Sequence, residues 1–375
     1  MALDAQVKAV KAQRPAPADL KDQLDLLAAE AKRLGETPGY KTVPVRGVTD
    51  AHVSVVSRGP NATRLEFEDG IGHDIPMHAR GNPARPGPVV PRRFLAVLSP
   101  AEPRPFTQGS GRLELARAIT TDGAPLAARV VVNRVWRHHF GRGLVDTPSD
   151  FGRQGERPSH PELLDDLATR FVAAGWSLKW LHREVMLSAA YQQASTPDAA
   201  RQAIDPDNRL LWRMNRRRLE VEVWRDAMLA VSGTLRGDVG GPPLELTDAA
   251  NRRRTLYGLV RRRDLTDLLR LHDFPDPLTH TAARIPTTTP LQQLYALNGP
   301  LLRQEAAALA RRLAADEPAG GAARVRRAYA LLFNRPPTDR EAALARAFVG
   351  DRPDTDAWIR YAHVLLGSNE FLFVD

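Results

Sequence analysis

Cysteine is absent from the 375-residue chain. That excludes disulfides, thiolate zinc sites, a cysteine nucleophile and covalent c-type haem attachment within it. Long apolar runs are also missing, and none approaches the roughly 20 residues that span a bilayer. The opening MALDAQVKAVKAQRPAPADL lacks the apolar segment of a signal peptide. Lysine is scarce, confined to Lys8, Lys11, Lys21, Lys32, Lys41 and Lys179, so the net charge of +9 rests on arginine. Such a balance admits nucleic acid, an anionic lipid surface or an acidic polysaccharide. A GC-rich genome produces the same arginine bias, so charge alone selects no partner. The chain contains no glycine-rich phosphate loop, zinc-protease helix or serine nucleophile elbow. What it does contain is 43% hydrophobic residues, enough for one large core or several smaller ones.

Three zones differ in composition. In residues 1–41, Leu20, Leu24, Leu27, Ala31 and Leu34 recur at helical spacing before Gly35, a candidate helix cap, and predict a helical linker. Residues 42–105 alternate polar and apolar positions in HVSVVSRG and TRLEFEDG, the pattern of a hairpin. The following RGNPARPGPVVPRRF is expected to run extended without regular structure, because proline cannot donate to a ladder. From residue 106 to 375 helical periodicity dominates. Capping boxes are expected at Ser159–Glu162 and Thr338–Glu341, a staple at Trp176 and Leu181, one helix over 290–314, and a strand at TLYGLV. The fold class is therefore mainly α: a multi-helix globular domain with a small irregular β-containing segment near the N-terminus.

The run NRVWRHHFGRGLVDTPSDFGRQGERPSHPELLDDLATRF, residues 133–171, concentrates histidines, carboxylates and arginines. On a helix, Val132, Val135, Trp136 and His139 share a face, which points His139 toward the core and leaves His138 near the edge. His139 reads as a buried imidazole bonded to a carbonyl or carboxylate, or alternatively as a metal ligand or general base. Adjacent histidines diverge by about 100° around a helix, so His138 and His139 do not share a metal, and no metal is expected. His139, Asp150, Glu156, His160 and Glu162 form the candidate catalytic cluster. Arg153 and Arg157, beside a helix N-terminus, are candidates for binding an anion. Arg252, Arg253 and Arg254 are further anion candidates, one of three triplets with Arg216–Arg218 and Arg261–Arg263. Pairing with Glu220, Glu222, Asp226 and Asp264 is the favoured expectation for the triplets, partly as helix-surface pairs of Glu222 with Arg218 and Arg225. Nucleic acid is not expected as a partner, because no reading motif or stacking platform accompanies the charge. The tryptophans fall mostly on apolar helix faces, with an exposed one or two available to stack on a sugar ring.

The 133–171 run, together with GWSLKWLHREVMLSAAYQQAS, DPDNRLLWRMNRRRLEVEVWRDAMLAVSG, TTTPLQQLYALNGPLL and the ending LLGSNEFLFVD, resembles one family. It is the planctomycete cytochrome-associated C-terminal domain, family 1553 among the domains of unknown function. The resemblance covers roughly residues 78–375. It implies a setting downstream of a second uncharacterised domain, often behind a c-type cytochrome module, in large exported proteins. It implies no catalytic activity. The chain departs from that setting, with no upstream module, haem-attachment motif or signal peptide, as in a truncated reading frame, a split gene or a stand-alone version. No cofactor is expected in this chain. The expected function is an accessory or protein-interaction module of an envelope or exported system, with the upstream domain as partner through residues 1–105. The alternatives are a hydrolase acting on a polysaccharide or other polymer, and a protein that binds anionic polymers such as acidic polysaccharide.

Overall fold

The computed structural model describes residues 2–12, 19–36, 50–58, 62–70, 72–82, 85–350 and 354–374. It divides into two units, Met1–Arg117 and Ala118–Asp375. Residues 13–18 and 37–41 of the linker and 42–49 of the arm lie outside the described residues.

In the first unit, α1 (Ala2–Ala12) packs with α2 (Leu20–Glu36). The latter runs through Gly35 rather than stopping at it, a cost of only about 1 kcal/mol relative to alanine. The predicted hairpin forms from β1 (Ala51–Ser57) and β2 (Thr63–Asp69), antiparallel and in continuous register. A second ribbon pairs β3 (Ile75–His78) with β4 (Pro86–Val90). The proline-rich run is thus partly a strand, against expectation. Prolines at alternate positions 86 and 88 of a two-stranded ribbon present their missing N–H to one edge only. Asp74 accepts from the Arg92 backbone and Nε at 2.9 and 2.8 Å, and Arg92 reaches the Gly109 carbonyl at 3.1 Å. These contacts tie the ribbon to the approach of α3 (Arg112–Thr120), which crosses the unit boundary.

The second unit opens with α4 (Ala124–Phe140), α5 (Pro161–Ala173), α6 (Leu178–Met186), α7 (Ala189–Gln192) and α8 (Ala199–Ile204). Ala128, Val132, Trp136 and Phe140, each four apart, bury one stripe of α4 against Leu164, Leu167 and Phe171 of α5. Asn133 is fully buried on α4, where its amide donates to the Val145 carbonyl at 2.9 Å and its carbonyl accepts from the Val145 N–H at 2.8 Å. This bracket brings the chain so close that a Cβ at Gly143 would lie 2.5 Å from the Val145 carbonyl oxygen, hence glycine there.

Next come β5 (Arg217–Arg218), α9 (Val221–Ser232), α10 (Asp267–Leu271), α11 (Pro290–Asn298), α12 (Pro300–Asp316), α13 (Gly321–Leu332), α14 (Asp339–Val349), α15 (Thr355–Leu366), α16 (Asn369–Leu372) and β6 (Phe373–Val374). The longest of these, α12, packs against α9 and α15, and Leu302, Ala306, Leu309 and Leu313 fill the second core with Trp224, Met228, Trp358 and Leu366. The helix expected over 290–314 is two, because Pro300 lacks an N–H and its ring collides with the preceding turn. TLYGLV is no strand: Thr255–Tyr257 is a 3-10 turn, since Asp226 takes both the Thr255 N–H and its hydroxyl at 2.7 Å. The cap at Ser177 forms, with the Trp180 N–H donating to the serine oxygen, and Trp176 and Leu181 belong to the same core. Among the described residues no helix is long and apolar enough to cross a membrane.

Of the two expected capping boxes, Thr338–Glu341 has both bonds. Thr338→Ala should cost about 1 kcal/mol, read as a lower urea midpoint with unchanged slope. Ser159–Glu162 does not form. His160 occupies the cap position, and Ser159 is turned to the Leu144 carbonyl and the His160 ring.

Candidate functional site

The 133–171 run is first of all a packed helical pair, and its polar residues disperse from that scaffold. His139 is half-buried and its Nε2 meets His182 Nδ1 at 2.8 Å, with Tyr191 edge-on. Its partner is therefore another imidazole, not the expected carbonyl or carboxylate. Burial, then the charges of His182, Arg217 and His138, lower its pKa and favour the neutral ring. Asp150 accepts from the Gly152 N–H at 2.8 Å, closing a local turn. Glu156 is exposed and faces Arg209 at 3.7 Å. His160 Nδ1 bonds the neighbouring Ser159 hydroxyl at 3.0 Å, and Glu162 is exposed in the first turn of α5. Among the described residues, no hydrogen bond or ion pair joins any two of these five, and no group of three or more His, Asp or Glu side chains is placed to hold a metal.

The arginine candidates divide by role. Arg153 and Arg157 are exposed. Arg253 donates to the carbonyls of Pro242, at 3.0 Å, and Gly240, and lies over the Tyr257 ring. Arg254 sits 3.7 Å from Asp226, and Arg252 is partly buried. From the other triplets, Arg217 donates to the His138 carbonyl, Arg218 to the Thr287 carbonyl, and Arg261 pairs with Glu245. Backbone carbonyls thus take much of the charge that was assigned to carboxylates. The expected pairs of Glu222 with Arg218 and Arg225 are not made. Glu222 binds Arg284 through both oxygens at 2.6 and 2.7 Å, while Arg225 is fully buried. The tryptophan platforms are occupied as well: Trp136, Trp224 and Trp358 are buried, and Arg170 and Arg213 cover Trp180 and Trp212.

What the fold does bring together is a network around Arg284, reached from three of the quoted motifs. From α4, Arg137 donates to the Arg284 carbonyl at 3.3 Å. At the start of α9, Glu222 grips the guanidinium, with Glu220 at 3.2 Å. Burial would raise the Glu222 pKa, but the Arg284 hydrogen bonds and charge outweigh it and hold the carboxyl below its usual range. Arg218 reaches Gln292 on α11 at 2.8 Å, and Asp273 accepts the Thr287 N–H and hydroxyl at 2.9 and 2.6 Å. Arg284, His182 and Gln292 were not singled out in the sequence. Only a polar residue recurring on a buried helix face signals such positions, and Arg284 lies in a loop without that signal.

A second surface belongs to the first unit. Cross-strand pairs Val53–Phe67 and Val55–Leu65 lie on one face of the β1–β2 hairpin, and all four side chains are exposed, Phe67 at 66%. Ile75, Met77, Val89 and Val90 of the other ribbon are exposed too. Among the described residues of this unit, Phe94 is the one large apolar side chain that is buried.

The second unit is thus a mainly α domain whose motifs meet in a charged network. The family model described as PSD1, protein of unknown function (DUF1553), matches residues 111–349, and the chain belongs to that family. No curated protein and no solved structure matches it.

Proposed function

We propose that this protein is a non-catalytic interaction module of a planctomycete-type exported or envelope system. Its partner is the uncharacterised domain that precedes such domains in related multidomain proteins, and its contact surface is the arm within residues 1–105. The supporting observation is the outward apolar face of the β1–β2 hairpin, built from Val53, Val55, Leu65 and Phe67. Paired apolar side chains on one strand face are stabilised by cover. In the cytochrome-associated setting covalently attached haem belongs to the cytochrome module, since this chain offers no attachment cysteine. The hydrolase alternative has weaker support, because Asp150 is engaged by its own turn and Glu156 by Arg209.

Mixing the purified chain with the upstream domain of a related protein should give a complex of micromolar affinity, roughly −8 kcal/mol. Phe67→Asp should weaken it at least about tenfold, because burying an aromatic ring contributes about 1.5–3 kcal/mol. Absence of association at roughly 100 µM, or equal binding by the variant, would refute this assignment.

A further inference from the structure

Beyond that interaction, the geometry points to a small-molecule site in the second unit that takes a tetrahedral oxyanion, a phosphate or a sulfate group. A cavity of ≈ 370 Å³ is lined by Arg134, Arg137 and His138 from one side and Pro148, His280 and Thr281 from the other. Small-molecule sites run from roughly 300 to 1,000 Å³, so there is room for such a group and a small body carrying it. Arg134, Arg137 and His138 follow at three and four residues on α4, on the face opposite its buried stripe.

No carboxylate lines this cavity. Several cations elsewhere in the unit are matched, as in Arg129–Asp165, Arg142–Asp146, Arg209–Glu156 and Arg284–Glu222. Among the described residues no carboxylate pairs with Arg134 or Arg137, and the recorded side-chain bond of Arg137 goes to the Arg284 carbonyl. The last turn of a helix favours cations, which accounts for Arg137 and His138 in part. It requires neither a cavity nor an opposing imidazole. That imidazole is positioned: His280 Nε2 and the Ser149 hydroxyl share a hydrogen bond of 2.8 Å. Two arginines and two histidines therefore line one cavity. Four cationic or imidazole side chains outnumber the two oxygens of a carboxylate and match the three or four of a phosphate or sulfate group, each arginine fork being able to take a pair of them. The site is separate from the arginine triplets, whose charge is largely spent on carbonyls and carboxylates.

Calorimetric titration of the full chain with inorganic phosphate, sulfate and acetate, at low ionic strength, tests this. Phosphate or sulfate should bind saturably and acetate at least about tenfold more weakly, and the phosphate and sulfate arms identify the preferred group. Arg134→Gln alone, at an exposed position, and with Arg137→Gln should each weaken binding about tenfold or more. Arg360→Gln, which alters charge at an exposed position of α15 outside the cavity, should leave it unchanged. Circular dichroism would verify that each variant is folded. Lack of saturable binding, acetate bound as tightly as the tetrahedral ions, or an equal loss in Arg360→Gln would overturn the site.

Discussion

Arg225→Met should lower the stability of the chain by about 3–5 kcal/mol, the range for removing one member of a buried charged network. Arg225 has no exposed surface, and burial pushes its pKa down, so holding it charged is itself costly. What offsets that cost is a set of acceptors with no other donor in view. Its Nη1 donates to the Arg253 carbonyl at 3.0 Å and the Thr255 hydroxyl at 3.2 Å, and Nη2 donates to the Asn251 carbonyl. Asp226 lies 4.0 Å away and fixes the Thr255 N–H from the same helix. Methionine preserves the bulk, yet takes the donor from the buried Asn251 carbonyl and the part-buried Arg253 carbonyl, and leaves Asp226 with Arg254 alone, at 3.7 Å. The 236–260 segment should become sensitive to limited proteolysis while α9 itself remains folded. Arg225→Lys should fall between the two, since one ammonium cannot reproduce the fork. An unfolding free energy for Arg225→Met, from urea melts, within about 1 kcal/mol of the parent would show that those carbonyls are served in another way.

Arg225 also shows where sequence reading stops. Val221, Trp224, Arg225, Met228 and Ser232 fall on the buried face of α9, so the periodicity pointed inward at this arginine. Its charge instead suggested a surface pair with Glu222. The conflict between position and chemistry was itself the signal. Asn133 presents the same conflict on α4, buried to bracket Val145. Apolar spacing, by contrast, made Val132 and Trp136 legible, and capping chemistry made the Thr338 box so. The network around Arg284 was not legible, because it depends on a loop, residues 272–289, whose path is set by side-chain to backbone bonds with no period. Turn chemistry accounts for the two misread stretches: Pro300 divides a continuous apolar pattern, and Asp226 captures the donor that a strand at Thr255 would have needed.

Glu222→Gln should cost about 2 kcal/mol near neutral pH, because it exchanges two charge-assisted bonds to Arg284 for neutral ones. Glu220, 3.2 Å from the same guanidinium, limits the loss. The pH dependence has a definite sign. The Glu222 pKa is lower in the folded chain than in the unfolded one. Its contribution is therefore complete above the ordinary glutamate value and disappears as pH falls through the lower folded value. The stability gap between parent and variant should be widest at about pH 7 and close toward about pH 3, which urea melts on both proteins would measure. A gap that stays constant with pH would mean that the pair contributes through packing, not charge. The same substitution tests the link between this network and the cavity. The carbonyl of Arg284 receives Arg137, and His280 lies four residues before it in the same segment. Loosening Arg284 should therefore weaken phosphate or sulfate binding several-fold at neutral pH, although Glu222 lines no part of the cavity.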